Sequence, residues 1–579
     1  MKEISVTVIG SGSTYCPELI YGFIEAKDSL KLKRVAFMDI DDRKREIVGG
    51  LCERMLKSAG IDCEIVMTDD LDLALQGADF VVTQIRVGKL PCRHIDESIP
   101  LKYDLIGQET TGIGGFFKAL RTIPVMAKIA ERIEAICPDA WLINFTNPSG
   151  IISEFLINHT NVKTMGLCNV PIAMIDDVKA AVGEDAKITY LGLNHLSWIT
   201  SVKVNGEEKF DSIFDDNFAP TVMKNIHDDG FDMECLDACK GFPSSYLQYY
   251  YSRAAKLAHL KQGSKSRAQV CMEIEEQLLE LYSDNELVIK PALLEQRGGY
   301  KYSLAAVSLI DSIANDKQDV HVVNIKNNGT LKFMDDDDIV EIAAVIGADG
   351  AKPVQIGEFN NRHIISLMRT VKSYEKYTVE AAMKGSDEDA MNALMLHPLC
   401  GDFAQAKSCY EELKANNPGA DLSSHPARYA LVELENIHDE SQVFEPIHRI
   451  ITDTDPDAML QALEANACAE GGCPVRWFAG DRSGTVYLDA KDGQLPIGVL
   501  QAFLDDYLKN NPGETDYIHG DDTLEQLAKA EKAIGFLLPA MGKGQLFTGI
   551  IADGVLPRKT FSMGHAQEKR YYLEAKKIR

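Results

Sequence analysis

Two periods of apolar and polar residues alternate along this chain, and their order predicts its architecture. Residues 3–9, EISVTVI, form a short β-branched run bounded by glycine, the pattern of a buried strand. Gly10-Ser11-Gly12-Ser13-Thr14-Tyr15 follows, and the helical pattern of Pro17–Ala26 comes next. Arg34–Met38 reads as a second strand, ending at Asp39-Ile40-Asp41. Asp79–Thr83 and Trp141–Phe145 read as further short buried strands, each after a helical stretch. This succession predicts an α/β fold with a Rossmann-like, doubly wound parallel sheet.

Further along, PSSYLQYYY at residues 243–251 carries four tyrosines, of which Tyr246 and Tyr250 share a face at helical spacing. Residues 265–282 predict an amphipathic helix that begins near Arg267. Helix and strand return in LLEQRGGYKYSLAAVSLIDSI and VHVVNIKNNG, and Asp335–Asp338 reads as a solvated acidic turn. A boundary is expected near Asp421-Leu422-Ser423-Ser424, between the helix AQAKSCYEELKANNPG and a strand at Tyr429–Leu434. Beyond it the pattern predicts a hairpin over 475–490, helices at Pro496–Leu508 and Thr523–Ala533, and a basic tail. The expected organisation is therefore 1–167 as the Rossmann-like domain, 168–421 as an α+β catalytic domain and 422–579 as a C-terminal α+β segment.

The turn after the first strand is the first candidate for chemistry. Gly10 and Gly12 let backbone N–H groups at a helix start approach a pyrophosphate, where the helix dipole also favours an anion. Ser13 and Thr14 lie in the same turn, whereas Tyr15 stands where a third glycine is usual. Asp39, at the end of the second strand, is placed to accept hydrogen bonds from both ribose hydroxyls, which favours NAD over NADP. Two loops leave strand ends on the ligand-binding side of such a sheet: Arg86–Gly115, with Arg93 and GQETTGIGG, and Asn144–Ser149. Asn147 can hold sugar hydroxyls there, or Asn-Pro can simply initiate a turn. Cys168 and His195 offer a thiolate and an imidazole as a metal pair, with a buried structural cysteine as the alternative. Arg267 can pair with an anionic substrate group or with the glutamates of its own helix.

Composition narrows these readings. The 579 residues exceed one ordinary core. Their formal charge of −27 repels nucleic acid and anionic membranes, so a phosphorylated ligand needs a local cationic pocket. Thirteen cysteines without framework spacing, Cys468 and Cys473 among them, fit free thiols in a cytoplasmic protein. No apolar leader or membrane-length window is present in the sequence.

VIGSGSTY, IGQETTGIGG, INFTNPSG, CNVP, GLNHLSW, PSSYLQYYY, KSRAQV, QRGGYKYS, VVNIKNNG and TVEAAMKG occur in this order. The chain resembles, over residues 1–421, the family 4 glycoside hydrolases of the 6-phospho-β-glucosidase branch. What the resemblance implies is NAD and Mn2+ as cofactors, Cys168 and His195 as metal ligands, and Tyr246 as the base. It also implies Arg93, Asn147 and Arg267 around a phosphorylated disaccharide or β-glucoside, and a homo-oligomer. Asn169 departs from members with Asp after the cysteine, many of them α-acting, and so points to β-glycosides. The implied reaction is hydrolysis by oxidation at C3, C2 deprotonation, elimination and water addition, an exception to two-carboxylate hydrolysis. A 2-hydroxy-acid dehydrogenase, an α- or unphosphorylated specificity and a non-enzymatic binding protein are the alternatives. Residues from about 423 onward resemble the end of an uncharacterised bacterial domain family, from which no chemistry is carried over.

Overall fold

The computed structural model describes residues 2–211, 230–298, 302–417, 444–468, 472–490, 494–541 and 559–563. Two compact units divide it, residues 1–430 and 431–579. The first is built on one sheet that has thirteen strands among the described residues. Its parallel half contains β1 (Lys2–Ile9), β2 (Leu30–Met38), β3 (Glu64–Thr68), β4 (Phe80–Thr83), β5 (Trp141–Asn144) and β6 (Lys163–Gly166). These lie in the order β3-β2-β1-β4-β5-β6, and all their pairings are parallel. Strand order therefore reverses between β1 and β4, which opens a crevice at the carboxyl ends of the strands. Helices α1 (Cys16–Glu25), α2 (Asp42–Ser58), α3 (Leu71–Leu75), α4 (Lys89–Ser98), α5 (Gly112–Ile136), α6 (Ser149–His159) and α7 (Val170–Val182) supply the crossovers.

The sheet continues in antiparallel fashion. β7 (Lys187–Leu193), β8 (Leu196–Val204), β9 (Glu207–Glu208), β10 (Phe242–Pro243), β11 (Asp319–Lys326), β12 (Ile339–Gly347) and β13 (Gly350–Pro353) extend it beyond β6 through β11. The expected boundary at 167/168 thus lies within one continuous sheet, where its parallel half ends. The boundary near 421 and the strand at 429–434 lie outside the described residues, as does the basic tail.

Three local expectations change. The second strand begins at Leu30 and not Arg34, because Leu30-Lys31-Leu32-Lys33 alternates buried and exposed before the fully buried run takes over. The stretch Arg86–Gly115 is not one loop, since it contains α4. That helix buries Arg93, Asp96 and Glu97 beside Leu90 and Cys92, so its inner face has no apolar period to read. The helix expected at Thr523–Ala533 is shorter, Asp521–Leu527, because the chain must turn to feed a central strand, Ile534–Leu537, of the second sheet. Elsewhere in that unit the hairpin forms from Cys473–Ala479 and Arg482–Leu488, and Ile451, Val475, Leu500 and Phe536 are buried in its core.

The helix Phe403–Asn416 belongs to the first unit. Its Glu412 pairs with Lys102 and accepts from the Tyr103 hydroxyl at 2.7 Å. Just past its end, buried Asn417 accepts from Arg121 at 2.7 Å and donates to Asp96 at 3.2 Å, closing a buried ion pair. Asn417→Ala is expected to lower the stability of the first unit by about 2 kcal/mol, read as a drop in the urea midpoint. A change below about 0.5 kcal/mol would show that Arg121 and Asp96 satisfy each other unaided.

Candidate functional site

The glycine turn at the end of β1 is held from two sides. Gly10 and Ser11 both donate from their amides to the Met38 carbonyl, at 2.9 and 3.1 Å. Gly10 has φ of 88°, and a Cβ there would stand 3.0 Å from the Gln84 carbonyl carbon, so only glycine fits. The Gly12 amide donates to Asp39 Oδ2 at 2.7 Å, and a Cβ on Gly12 would lie 2.9 Å from that oxygen. Asp39 Oδ1 accepts from the Asp41 amide at 2.9 Å, so the carboxylate is fixed while lone pairs remain on both oxygens. Ser13 Oγ accepts from the Tyr15 amide at 3.3 Å. The buried hydroxyls of Ser11 and Thr14 have no hydrogen-bond partner among the described residues. Leaving such a group unpaired costs about 1–3 kcal/mol, which points to a polar ligand in the turn. The cations nearby are engaged: Lys44 meets Glu275, and Arg45 meets Asp42 at 2.8 Å and the Asp39 carbonyl at 2.7 Å. A dinucleotide with a free ribose diol fits this donor set better than one with a ribose phosphate.

Cys168, His195 and Tyr246 come together at the same edge of the sheet. Cys168 follows β6 and precedes α7, whose N-cap is Asn169. Burial, then the charge of Glu341, pushes its thiol up, while hydrogen bonds from the Val170 amide, the Asn194 side chain and the Asn169 amide favour the thiolate. His195 sits in the two-residue turn between β7 and β8, in the left-handed region at φ 64°. Its Nδ1 is 2.9 Å from Thr110 Oγ1, and burial, then the charge of Lys118, lowers its pKa to about 3. A neutral imidazole that donates from Nδ1 keeps the Nε2 lone pair for a metal. The Tyr246 ring stacks on His195 with centroids 3.7 Å apart and planes within 7°. Burial, then the charge of Cys168, holds the Tyr246 phenol well above its ordinary range. Thiolate, imidazole and waiting phenol form a donor set that fits a divalent cation, and a cation there would draw Tyr246 downward.

A buried ionic cluster, which the sequence reading did not single out, supports this trio. Glu109 meets Arg86, Arg93 at 2.9 Å and Lys118 at 2.7 Å. Against the pull of burial, the charges of Arg86, Arg93 and Lys118 hold Glu109 well below the usual carboxylate range. Burial, then Arg86, lowers Lys118 to about 7. Lys118 and Arg121 lie in the otherwise apolar stretch GIGGFFKALRTI of α5, and such isolated charges are the signal that could have found the cluster. Arg93 is itself buried and also donates to Glu97 at 2.6 Å, so its guanidinium faces carboxylates of its own chain. Arg267 does not pair with the glutamates of its own helix; it donates to the carbonyls of Gln296 and Arg297 at 2.9 and 3.1 Å. Asn147 and Asn169 are half-buried beyond the carboxyl ends of β5 and β6, on the edge that carries Cys168. Asp335–Asp338 is an acidic turn in which Asp338 is buried and meets Lys376 at 2.6 Å.

The family described as "Family 4 glycosyl hydrolase" matches residues 5–184, and its C-terminal domain matches 190–400. The chain is 41% identical to the probable 6-phospho-β-glucosidase of Bacillus subtilis, over 71% of this chain and 96% of that one. It is likewise 41% identical to the 6-phospho-β-glucosidase of Escherichia coli, over 71% and 95%.

This chain belongs to family 4 of the glycoside hydrolases.

Phospho-α-glucosidases of other bacteria are 26–28% identical to this family 4 enzyme. The 6-phospho-β-glucosidase of Thermotoga maritima, solved with manganese, NAD+ and glucose-6-phosphate, superposes with a TM-score of 0.66 at 35% identity. That superposition covers 72% of the present enzyme and 98% of the Thermotoga chain. Residues 403–577 match a family described only as a protein of unknown function, DUF1015. The match begins with the helix Phe403–Asn416, which this glycosidase packs into its first unit.

A second imidazole secures the threonine loop of the glycosidase. Thr111 Oγ1 lies 2.9 Å from the Tyr250 hydroxyl, and that hydroxyl is 3.2 Å from His397 Nε2. His397 Nδ1 accepts from the Leu399 amide at 3.1 Å, and burial lowers its pKa to about 3. An unfolded histidine titrates near 6.5, so the stability held above that pH is lost as pH falls toward 3. His397→Gln is expected to reduce the slope of stability against pH between pH 6 and 4.5 by about 1 kcal/mol per pH unit, measured as urea midpoints. An unchanged slope would mean that His397 is already protonated in the folded protein.

Proposed function

We propose that this enzyme hydrolyses 6-phospho-β-glucosides with NAD and manganese as cofactors. The observation that carries the reading is the meeting of Cys168, His195 and stacked Tyr246 on the sheet whose carboxyl-end edge also carries the glycine turn and Asp39. Gly10, Gly12, Ser13 and Thr14 would cradle the NAD pyrophosphate, with Asp39 on the ribose hydroxyls. NAD, when bound, supplies a hydride acceptor for C3 of the sugar and returns the hydride at the end. Cys168 and His195 would hold manganese, which supplies Lewis acidity and lowers the pKa of a nearby phenol. Tyr246 takes the proton from C2, which oxidation at C3 has made acidic, and the glycosidic oxygen then leaves by elimination. Water adds at C1. Thr110 positions both rings for this work, because it contacts His195 Nδ1 and also hydrogen-bonds Tyr246.

Preference for β-glycosides is supported by Asn169, which cannot serve as the acid an aspartate would supply, and by the higher identity to β-acting than to α-acting relatives. Arg93, Asn147 and Arg267 are proposed to face the substrate and its phosphate. Thirteen unpaired cysteines support a reducing, cytoplasmic setting. No helix of the described residues is long and apolar enough to cross a membrane.

A chromogenic 6-phospho-β-glucoside tests the reading directly. Turnover is expected only with NAD, manganese and reductant together, and far more slowly on the unphosphorylated or α-linked compound. Tyr246→Phe should lose turnover by on the order of a hundredfold or more on a poor leaving group, with NAD still bound. Cys168→Ser should instead raise the manganese concentration needed. Cofactor-independent cleavage, or equal rates with and without the phosphate, would defeat the proposal.

A further inference from the structure

Glu341 has no part in the chemistry above, yet it is the one charged residue in the apolar run IVEIAAVIG of β12, and it is 1% exposed. The register places it between Asn324 of β11 and Gly192 of β7, and Asn324 stands in turn beside Gly166 of β6. Strands β6 and β7 lead into Cys168 and into the Asn194-His195 turn, and they are not neighbours, because β11 and β12 lie between them. Glu341 therefore sits in the row that joins the two strands carrying the thiol and the imidazole.

Three neutral donors reach its carboxylate. The Tyr190 hydroxyl donates to Oε2 at 2.7 Å and lies 2.6 Å from Ser197 Oγ. The Asn194 side-chain amide donates to Oε1 at 3.0 Å, and that of Asn324 at 3.4 Å. Among the described residues no lysine or arginine meets Glu341. Lys372, on the helix Arg362–Lys384, is shared by two other buried carboxylates, Glu154 at 2.7 Å and Glu375 at 2.5 Å, and Glu375 repels Glu341 further. Burial pushes the Glu341 carboxyl up to about 7, against the pull of its three hydrogen bonds. A carboxylate in such a place is costly unless a cation offsets it.

Asn194 carries the influence of this carboxylate to the site. Its side chain also hydrogen-bonds Cys168, as a donor that favours the thiolate. An amide nitrogen has two hydrogens, so Nδ2 serves Glu341 with one and the thiolate with the other. An ionised carboxylate only accepts, and Glu341 thereby decides which way the amide faces. Turned over, Asn194 would set its carbonyl oxygen against two anions. Asn194 belongs to the motif GLNHLSW, and the same turn presents His195. One carboxylate thus fixes the donor that supports the thiolate, at the residue next to the imidazole.

We propose that Glu341 is a positioning residue of the metal site, which aims the Asn194 N–H at the Cys168 thiolate and supplies a buried negative charge that favours a divalent cation beside it. The inference deepens the proposed function and rests on Cys168 as a manganese ligand. Outer carboxylates that orient metal ligands act in this way in general.

The test uses the full-length protein and its Glu341→Gln, Glu341→Asp and Cys168→Ser variants. Titration with Mn2+ alone is followed by electron paramagnetic resonance of the free ion, and Co2+ reports thiolate ligation through its near-ultraviolet charge-transfer band. Thermal unfolding is recorded without metal. Glu341→Gln keeps the size of the side chain, drops the charge and lets the Asn194 amide turn over. It is expected to weaken Mn2+ binding by about tenfold to a hundredfold and to shift the cobalt band, with NAD affinity unchanged. Glu341→Asp, which keeps the charge, should fall between. The metal-free Gln variant should melt no lower than the parent, because the cost of burying the charge is gone. Unchanged Mn2+ affinity with an unchanged cobalt band overturns the proposal. So does a metal-free Gln variant that melts well below the parent or fails to fold, since the carboxylate would then serve the fold alone. A parent protein with no thiolate band, or one whose band survives in Cys168→Ser, defeats the reading of Cys168 as a ligand and the proposal with it, a failure visible without any change at Glu341.

Discussion

The site depends on one buried carboxylate, Glu109, and the three cations gathered on it. Arg86 leaves the end of β4, Arg93 lies on α4, and Lys118 lies on α5, so this one anion ties three crossover elements to the loop that carries Gln108–Thr111. Burying so many charges is costly unless each is paired, and Glu97 takes the second edge of Arg93 while Lys118 falls to about 7. With the loop anchored in this way, Gln108 Oε1 accepts from the amides of Thr110 and Thr111 at 2.5 and 2.8 Å. Each threonine then reaches an imidazole, Thr110 to His195 and Thr111 to His397. Ring positions at the site thus follow from an ion cluster that acts on them through the two threonines.

The electrostatics of the trio are arranged for a cation. Cys168 and Tyr246 are both held above their ordinary ranges, first by burial, so neither is ionised without a partner. His195 is held neutral. Under the proposed function, one dication would reverse the first two conditions and need the third, and a tyrosine would then serve where a carboxylate base otherwise does.

Local pattern made much of the fold legible. EISVTVI, the Gly10–Gly12 turn and the acidic end of β2 fall within forty residues, and short apolar runs place β4 and β5 without any tertiary knowledge. What escaped was tertiary in origin. The inner face of α4 is charged because its partners Glu109, Arg121 and Asn417 come from distant segments, so periodicity could not show it. Lys118 and Glu109 sit nine residues apart in the sequence, but only burial makes them a pair. Cys168 and His195 were legible as candidates through the family motifs. Their convergence with Tyr246 depends on β7 and β8 joining the sheet far from β6, a register no local pattern sets.

Under the proposed mechanism, Tyr246 removes the C2 proton before the glycosidic bond breaks. Hydrolysis of a 6-phospho-β-glucoside in heavy water, followed by magnetic resonance of the sugar product, reports that order of events. Deuterium is expected at C2 in the glucose 6-phosphate formed. Product that retains its original hydrogen at C2, made under conditions where NAD is still required, would contradict it.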